Sequence, residues 1–165
     1  MSHAPFVHLR VRSCFSLLES AVRPGRLLAR CQTEAMPAVG VTDRANLFAA
    51  LEIGQSAVKS GLQPILGCLL PVRADGEARN GRPAPPPLLP VLVKDEAGYG
   101  NLLKLLTRAH LEKDPAAPVE VELDDLERFG DGLIAFTGGP EGPLGPPLLA
   151  GNRGFAEALL DRLTA

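Results

Sequence analysis

The chain has 165 residues, of which 45% are apolar, 22% charged and only 4% aromatic, with no Trp. That is long enough for one domain with a real core, which Leu, Val, Ile and Ala must fill. The formal net charge of −2 offers a nucleic acid no whole-chain attraction, so any contact with DNA needs positive charge from other segments or other chains.

Apolar alternation at Phe6, Val7, Leu9 and Val11 predicts a first strand ending near Ser13. Pro24 stands where a first helical turn begins, and Leu27, Leu28 and Cys31 recur at helical spacing until Pro37 closes the helix. Ala38, Val39, Val41 and Thr42 form a short buried-type strand. Asn46 is the expected N-cap of a helix carrying Leu47, Ala50, Leu51 and Val58 and stopped at Gly61. A strand from Pro64 to Cys68 follows, and the order so far is that of parallel βαβ units.

Residues 73–87, polar and then Pro-rich, read as an exposed loop. Leu88 to Val93 resumes a strand, and Asp95 caps a helix through Leu103, Leu106 and Ala109. A second loop lies around Pro115 to Pro118, then a short helix from Asp124 to Phe129. Leu133 to Phe136 is a strand running into the turn Thr137-Gly138-Gly139, and an amphipathic helix spans Phe155 to Leu163. The class is α/β, either a barrel-like or a layered sheet, in one domain over 1–165.

Cys14, Cys31 and Cys68 are odd in number, widely spaced and free of any C-x-x-C pair. They fit buried thiols in a reducing cytoplasm better than a disulfide framework or a zinc site. The first residues lack the basic-then-apolar pattern of a signal peptide, and no run of about 18 apolar residues is long enough to span a membrane. The expectation is a cytoplasmic chain with no membrane contact.

Four stretches carry a family resemblance. Phe6 to Ser13 with Phe15-Ser16-Leu17-Leu18-Glu19 resembles the opening strand and turn of the PHP domain of bacterial DNA polymerase III alpha subunits. Met36 to Asp43, Asn46-Leu47-Phe48 and Gly61 to Cys68 are similar to that family's next strand, turn and strand. Lys94 to Tyr99 with Asn101-Leu102, and Gly132 to Gly139, match two further segments in the same order. The resemblance implies a distorted β/α barrel, here incomplete at its C-terminal end, at the front of a very long polymerase chain acting in DNA replication. It also implies partners in the rest of that chain and in replisome subunits, with DNA met only indirectly. Such an incomplete barrel leaves strand edges and apolar surface uncovered, so the isolated chain is expected to be marginally stable or to self-associate.

The resemblance further implies a metal site, since members of the family hold Zn, Mn or Mg in the barrel mouth through His and carboxylate ligands. The family's His-x-His positions are here Arg10 and Arg12, its Thr-Asp-His is Thr42-Asp43-Arg44, and two further ligand positions fall on Leu69 and Leu88. A guanidinium stays protonated and has no lone pair to donate, so it cannot stand in for imidazole. Asp43 is the one ligand-type residue retained, no cofactor is expected for this chain, and no catalytic residue is assigned. Three readings stay open: a decayed site whose arginines pair with Asp43 and its neighbours, an anion pocket of Arg10, Arg12 and Arg44 for a phosphate or DNA end, or a nuclease site built from other residues. A stand-alone PHP phosphoesterase and the front domain of an error-prone polymerase are the alternative functions. His8 reads as structural, and His3 and His110 have no partner at metal spacing. Gly138-Gly139-Pro140 reads as a turn, and the acidic run Glu120, Glu122, Asp124, Asp125 and Glu127 as a solvated helix start.

Overall fold

A computed structural model of the chain describes residues 4–73, 85–112 and 116–164. Residues 74–84 of the expected Pro-rich loop, Pro115 of the second loop and His3 lie outside the described residues. Contacts divide the chain into two units, Met1–Leu69 and Leu70–Ala165.

In the first unit, Pro24 opens helix α1 (Pro24–Thr33) at the position where its missing N–H would have had no helical partner. Strand β1 (Ala38–Arg44) is buried along its length except at Arg44, as a strand covered on both faces must be. Helix α2 (Ala50–Lys59) leads through Gly61, at φ +71°, into β2 (Gln63–Arg73). The two strands pair in parallel from Ala38↔Gln63 to Arg44↔Leu69. Val39 and Val41 of β1, Leu28 and Cys31 of α1, and Ile53 and Ala57 of α2 form one apolar cluster, the expected βαβ core.

Two elements differ from expectation. The Phe6–Ser13 segment runs beside β1 without becoming a regular strand: one parallel bridge joins Val11 to Val41. The N–H of Gly40 donates to His8 O at 2.6 Å and that of Thr42 to Val11 O at 2.8 Å. The reason is a close crossing, since a Cβ on Gly40 would lie 2.8 Å from the Leu9 Cα and carbonyl oxygen. Asn46 does not cap α2, whose N-cap position is Ala49. Instead its Oδ1 accepts from the Phe48 N–H at 3.1 Å, and its amide donates to Phe15 O and Arg44 O. That closes a local Asx turn three residues earlier, the competing use of an Asn beside a helix.

The second unit holds the last residues of β2, then β3 (Leu88–Val93), α3 (Glu96–Leu111), the two-residue β4 (Val121–Glu122) and α4 (Leu123–Phe129). Strand β5 (Leu133–Ala135), a 3-10 turn at Gly139–Glu141, α5 (Gly145–Leu149) and α6 (Arg153–Thr164) complete it. The strand order is β1-β2-β3-β5 with β4 attached to β2. Together these make a mixed α/β fold of the expected class, with a five-stranded sheet that does not close among the described residues. The β3–β5 pair is antiparallel, so the parallel run of the first unit is not continued there. Asp95 caps α3 as expected, accepting from the Gly98 N–H at 2.9 Å. The sequence pattern predicts neither β4 nor α5: two residues, and five that include Pro146 and Pro147, are too short to carry a period.

Gly98 brings α3 directly onto backbone, because a Cβ there would collide with the Gly132 carbonyl group. Gly100, two residues further along the helix, has nothing within 4 Å of the place a Cβ would take. Gly98→Ala should therefore cost about 3 kcal/mol by forcing backbone apart. Gly100→Ala should raise stability by about 1 kcal/mol through helix propensity alone. Urea titrations followed by circular dichroism read both; equal effects from the two substitutions would contradict the packing of α3 on Gly132.

Candidate functional site

Asp43 sits near the end of β1 and is 2% exposed, where a bare carboxylate would be costly. Its charge is met by hydrogen-bond donors from the preceding loop. Oδ1 accepts from the Ser13 N–H at 2.7 Å and from the Ser16 hydroxyl at 2.7 Å, and Oδ2 accepts from the Ser13 hydroxyl at 2.7 Å. Each hydroxyl accepts in turn, Ser13 Oγ from the Phe15 N–H and Ser16 Oγ from the Arg44 N–H. Both serines are buried. The loop 13–20 is thus stitched to the strand end through one side chain.

The backbone of Asp43 is held from the neighbouring strand. Cys68, its partner in the parallel register, donates its thiol to the Asp43 carbonyl at 3.2 Å. Burial pushes the Cys68 thiol up to about 12, with the Asp43 charge adding to that rise and the backbone of Asn46 and Ala45 opposing it through hydrogen bonds. Thr42 is fully buried and its hydroxyl has no hydrogen-bond partner among the described residues.

The decayed-site reading has the arginines pairing with Asp43 and its neighbours; in the structure Arg12 and Arg44 meet a neighbour, Glu19, and not Asp43 itself. The Glu19 Oε1 lies 2.7 Å from Arg44 Nη1 and its Oε2 3.0 Å from Arg12 Nη1. All three side chains are half-buried, and Ser20 fastens the same loop by donating to Arg12 O at 2.7 Å. Arg10, two residues before, is exposed. Leu69 and Leu88, at the other two expected ligand positions, are buried apolar side chains. His8 is an exposed residue whose ring meets Phe6 edge-on at 4.8 Å. Among the described residues, no three His, Cys, Asp or Glu side chains converge as a metal-binding group.

Sequence reasoning misses Ser13, Ser16 and Glu19. The available signal is weak, two serines three residues apart in a turn ahead of a lone acid, and such serines are ordinary in turns. The acidic run also differs from expectation. Glu120 is buried, with Arg73 Nη1 3.9 Å away, while Asp125 pairs with Arg108 and both Asp124 and Glu127 pair with Arg162. The turn at Gly138-Gly139 is as expected, with φ of +75° and +63°.

Two outcomes test this wiring. Asp43→Ala should cost about 3 kcal/mol, because it strands three buried donors, whereas Thr42→Val should cost nothing or stabilise slightly by removing an unpaired hydroxyl of the same shape. Chemical denaturation measures both, and an Asp43→Ala variant as stable as the parent would refute a stabilising role for these hydrogen bonds. The raised Cys68 pKa carries a sign: its contribution to stability is complete below the unfolded value of 9.0 and is lost as pH rises toward about 12. The stability advantage of the parent over Cys68→Ala should therefore change steadily above pH 9, first through ionisation of the unfolded thiol and then levelling near the folded value, read by urea midpoints across that range.

The PHP domain family matches residues 8–165. The chain is 40% identical over 155 residues to DNA polymerase III subunit alpha of Caulobacter vibrioides, covering 94% of this chain and 14% of that protein. It is 34% identical over 155 residues to DNA polymerase III subunit alpha of Pseudomonas aeruginosa, covering 94% of this chain and 13% of that protein. The chain therefore spans only about one seventh of the length of these relatives. A solved amidohydrolase structure from Chromobacterium violaceum aligns over 63% of this chain and 33% of its own, at TM-score 0.47 and 17% identity. No helix among the described residues is long and apolar enough to cross a membrane.

Proposed function

The chain belongs to the PHP domain family, and from that premise we propose that it is the N-terminal PHP segment of a DNA polymerase III alpha subunit, with a degenerate metal site and a structural role in DNA replication. The parent enzyme would add deoxynucleotides to a DNA 3′ end, and this chain would contribute shape rather than chemistry. Its partners would be the rest of the polymerase chain and other replisome subunits, in the cytoplasm.

The observation that carries the reading is the state of the Asp43 carboxylate. A metal cluster in the family's position needs several N and O donors with lone pairs aimed at a common point. Here the one ligand-type residue already accepts three hydrogen bonds at 2.7 Å. Arg12 and Arg44, on either side of it in the family pattern, are cations that accept nothing and are tied to Glu19. The described residues at these positions do not fit a resident metal. The same geometry weighs against the anion-pocket reading at Arg12 and Arg44, since a carboxylate already lies between the two guanidiniums.

The test is metal content and phosphodiesterase turnover measured together, on the purified chain equilibrated with Mn²⁺ or Zn²⁺. The expected outcome is less than one equivalent of metal retained after dialysis and hydrolysis at the buffer rate. Stoichiometric metal, with hydrolysis abolished by Asp43→Asn in a variant that still folds, would overturn the structural reading.

A further inference from the structure

Strand β5 ends the sheet path beyond β3, so one of its two edges is open. Its bonds to β3 come from every second residue: the Phe136 N–H donates to Pro90 O at 2.9 Å, and Gly132 O accepts from the Lys94 N–H at 2.9 Å. With Ile134 opposite Leu92 in the same register, Gly132, Ile134 and Phe136 face β3 while Leu133 and Ala135 turn their main-chain groups outward. The Leu133 N–H bends back to Gly130 O at 3.0 Å. The Ala135 N–H and carbonyl have no partner among the described residues. One residue of this edge thus offers a complete donor and acceptor pair.

The side chains follow the same alternation. Ile134 and Phe136 share one face of the strand and are 46% and 40% exposed. Ala135, on the other face, is exposed and small, so a second backbone can come close beside it. Leu133 to Phe136 include no charged residue and no Pro, the side chains that commonly keep an edge from pairing.

We propose that the β5 edges of two copies of this chain pair antiparallel about a twofold axis at Ala135. The two alanines exchange N–H···O bonds in both directions, and Ile134 of each copy stands opposite the partner's Phe136. Two features select a second copy as the occupant. The register that uses both free groups of Ala135 also sets the exposed Ile134 against the exposed Phe136, an aromatic and β-branched pair of the kind that stabilises sheets. The edge also offers too few bonds to order a flexible peptide, whereas a second β5 arrives already extended. An axis at Ile134 would need the Leu133 N–H, which Gly130 already holds. The contact is isologous and closes at a dimer. It is small, so the association is weak and becomes visible only at high protein concentration. This inference stands apart from the proposed function: its failure would leave the family assignment and the state of Asp43 untouched.

Cysteine pairs test the register. Ile134 and the partner's Phe136 would form a non-hydrogen-bonded pair with Cα atoms about 4.5 Å apart, within the span of a disulfide. Ile134→Cys and Phe136→Cys are made separately, mixed in equal amounts at about 500 µM, oxidised in a glutathione buffer and weighed by intact mass spectrometry. The parent, with Cys31 and Cys68 buried and Cys14 half-buried, sets the background. Random collision gives as much mixed dimer as the two like dimers together; the proposed register should raise the mixed dimer about fivefold or more above that. Ala135→Pro deletes the outward N–H and leaves the bonds to β3 in place, a change an edge strand tolerates. Sedimentation equilibrium of the 165-residue chain from about 10 µM to about 500 µM should show the parent approaching a dimer and no larger species. The Ala135→Pro variant, folded by circular dichroism, should stay monomeric; if it does not fold, the disulfide yields decide alone. A monomeric parent, a folded proline variant that dimerises like the parent, or disulfides in random proportion would each overturn the proposal. The first result would leave the edge to a strand of different sequence.

Discussion

A buried carboxylate at a strand end has to be solvated by the protein, and in this chain three donors from one loop do so at Asp43. Everything local follows from that requirement. Ser13 must present both its N–H and its hydroxyl, which fixes the end of the segment running along β1. Ser16 must sit three residues on with its hydroxyl inward, which bends the chain into a tight turn. The Ser16 and Glu19 N–H groups then find their acceptors inside that turn, at Ser13 O and Ser16 O. Leu17 and Leu18, between the fastened serine and Glu19, have nowhere to go but outward.

The charges outside this buried core make a second layer. Glu19 lies between two guanidiniums that would otherwise repel each other across the mouth of the loop, and both pairs are only half-buried. Pairs of that exposure contribute modestly, at most about 1 kcal/mol each, because water screens them. The hydrogen bonds to the buried Asp43 matter more, since a charged acceptor in a dry site loses its full solvation when a donor is removed. Order in the loop is thus set by the serines, and the arginine network adjusts its outer face.

Much of the fold was legible because it rests on local rules. Pro24 at a helix start, Asp95 as a cap and the apolar run from Leu88 to Val93 each carry a signal within a few residues, and each appears where expected. The failures are non-local. The first segment alternates like a strand, yet its pairing is decided about 30 residues away by Gly40, whose missing side chain lets Leu9 cross too close for a regular ladder. Asn46 has the chemistry of a cap, but Phe15 and Arg44 offer its amide carbonyl acceptors that a cap would forgo. At the candidate site, Asp43 was visible as a carboxylate at a strand end, while its serine partners were not. A serine in a turn is uninformative until the acid it serves is placed beside it.

The identity of the groups around Asp43 also decides how the strand end is coupled to its surroundings. A site ordered by metal binding owes part of its folding free energy to the metal, and that part varies with metal supply and with the protonation of the ligands. A site ordered by serine hydroxyls and a backbone N–H carries its own counter-groups in the chain. The bonds that hold Asp43 come from serines and a backbone N–H, and the neighbouring cations are guanidiniums, which stay charged across the physiological range. On the structural reading this suits a segment whose task is to hold one shape, since the bonds that fasten the loop come from the chain itself. It also accounts for the strained Leu18: only a loop fastened at both ends by bonds within the chain can sustain a left-handed leucine that solvent does nothing to support.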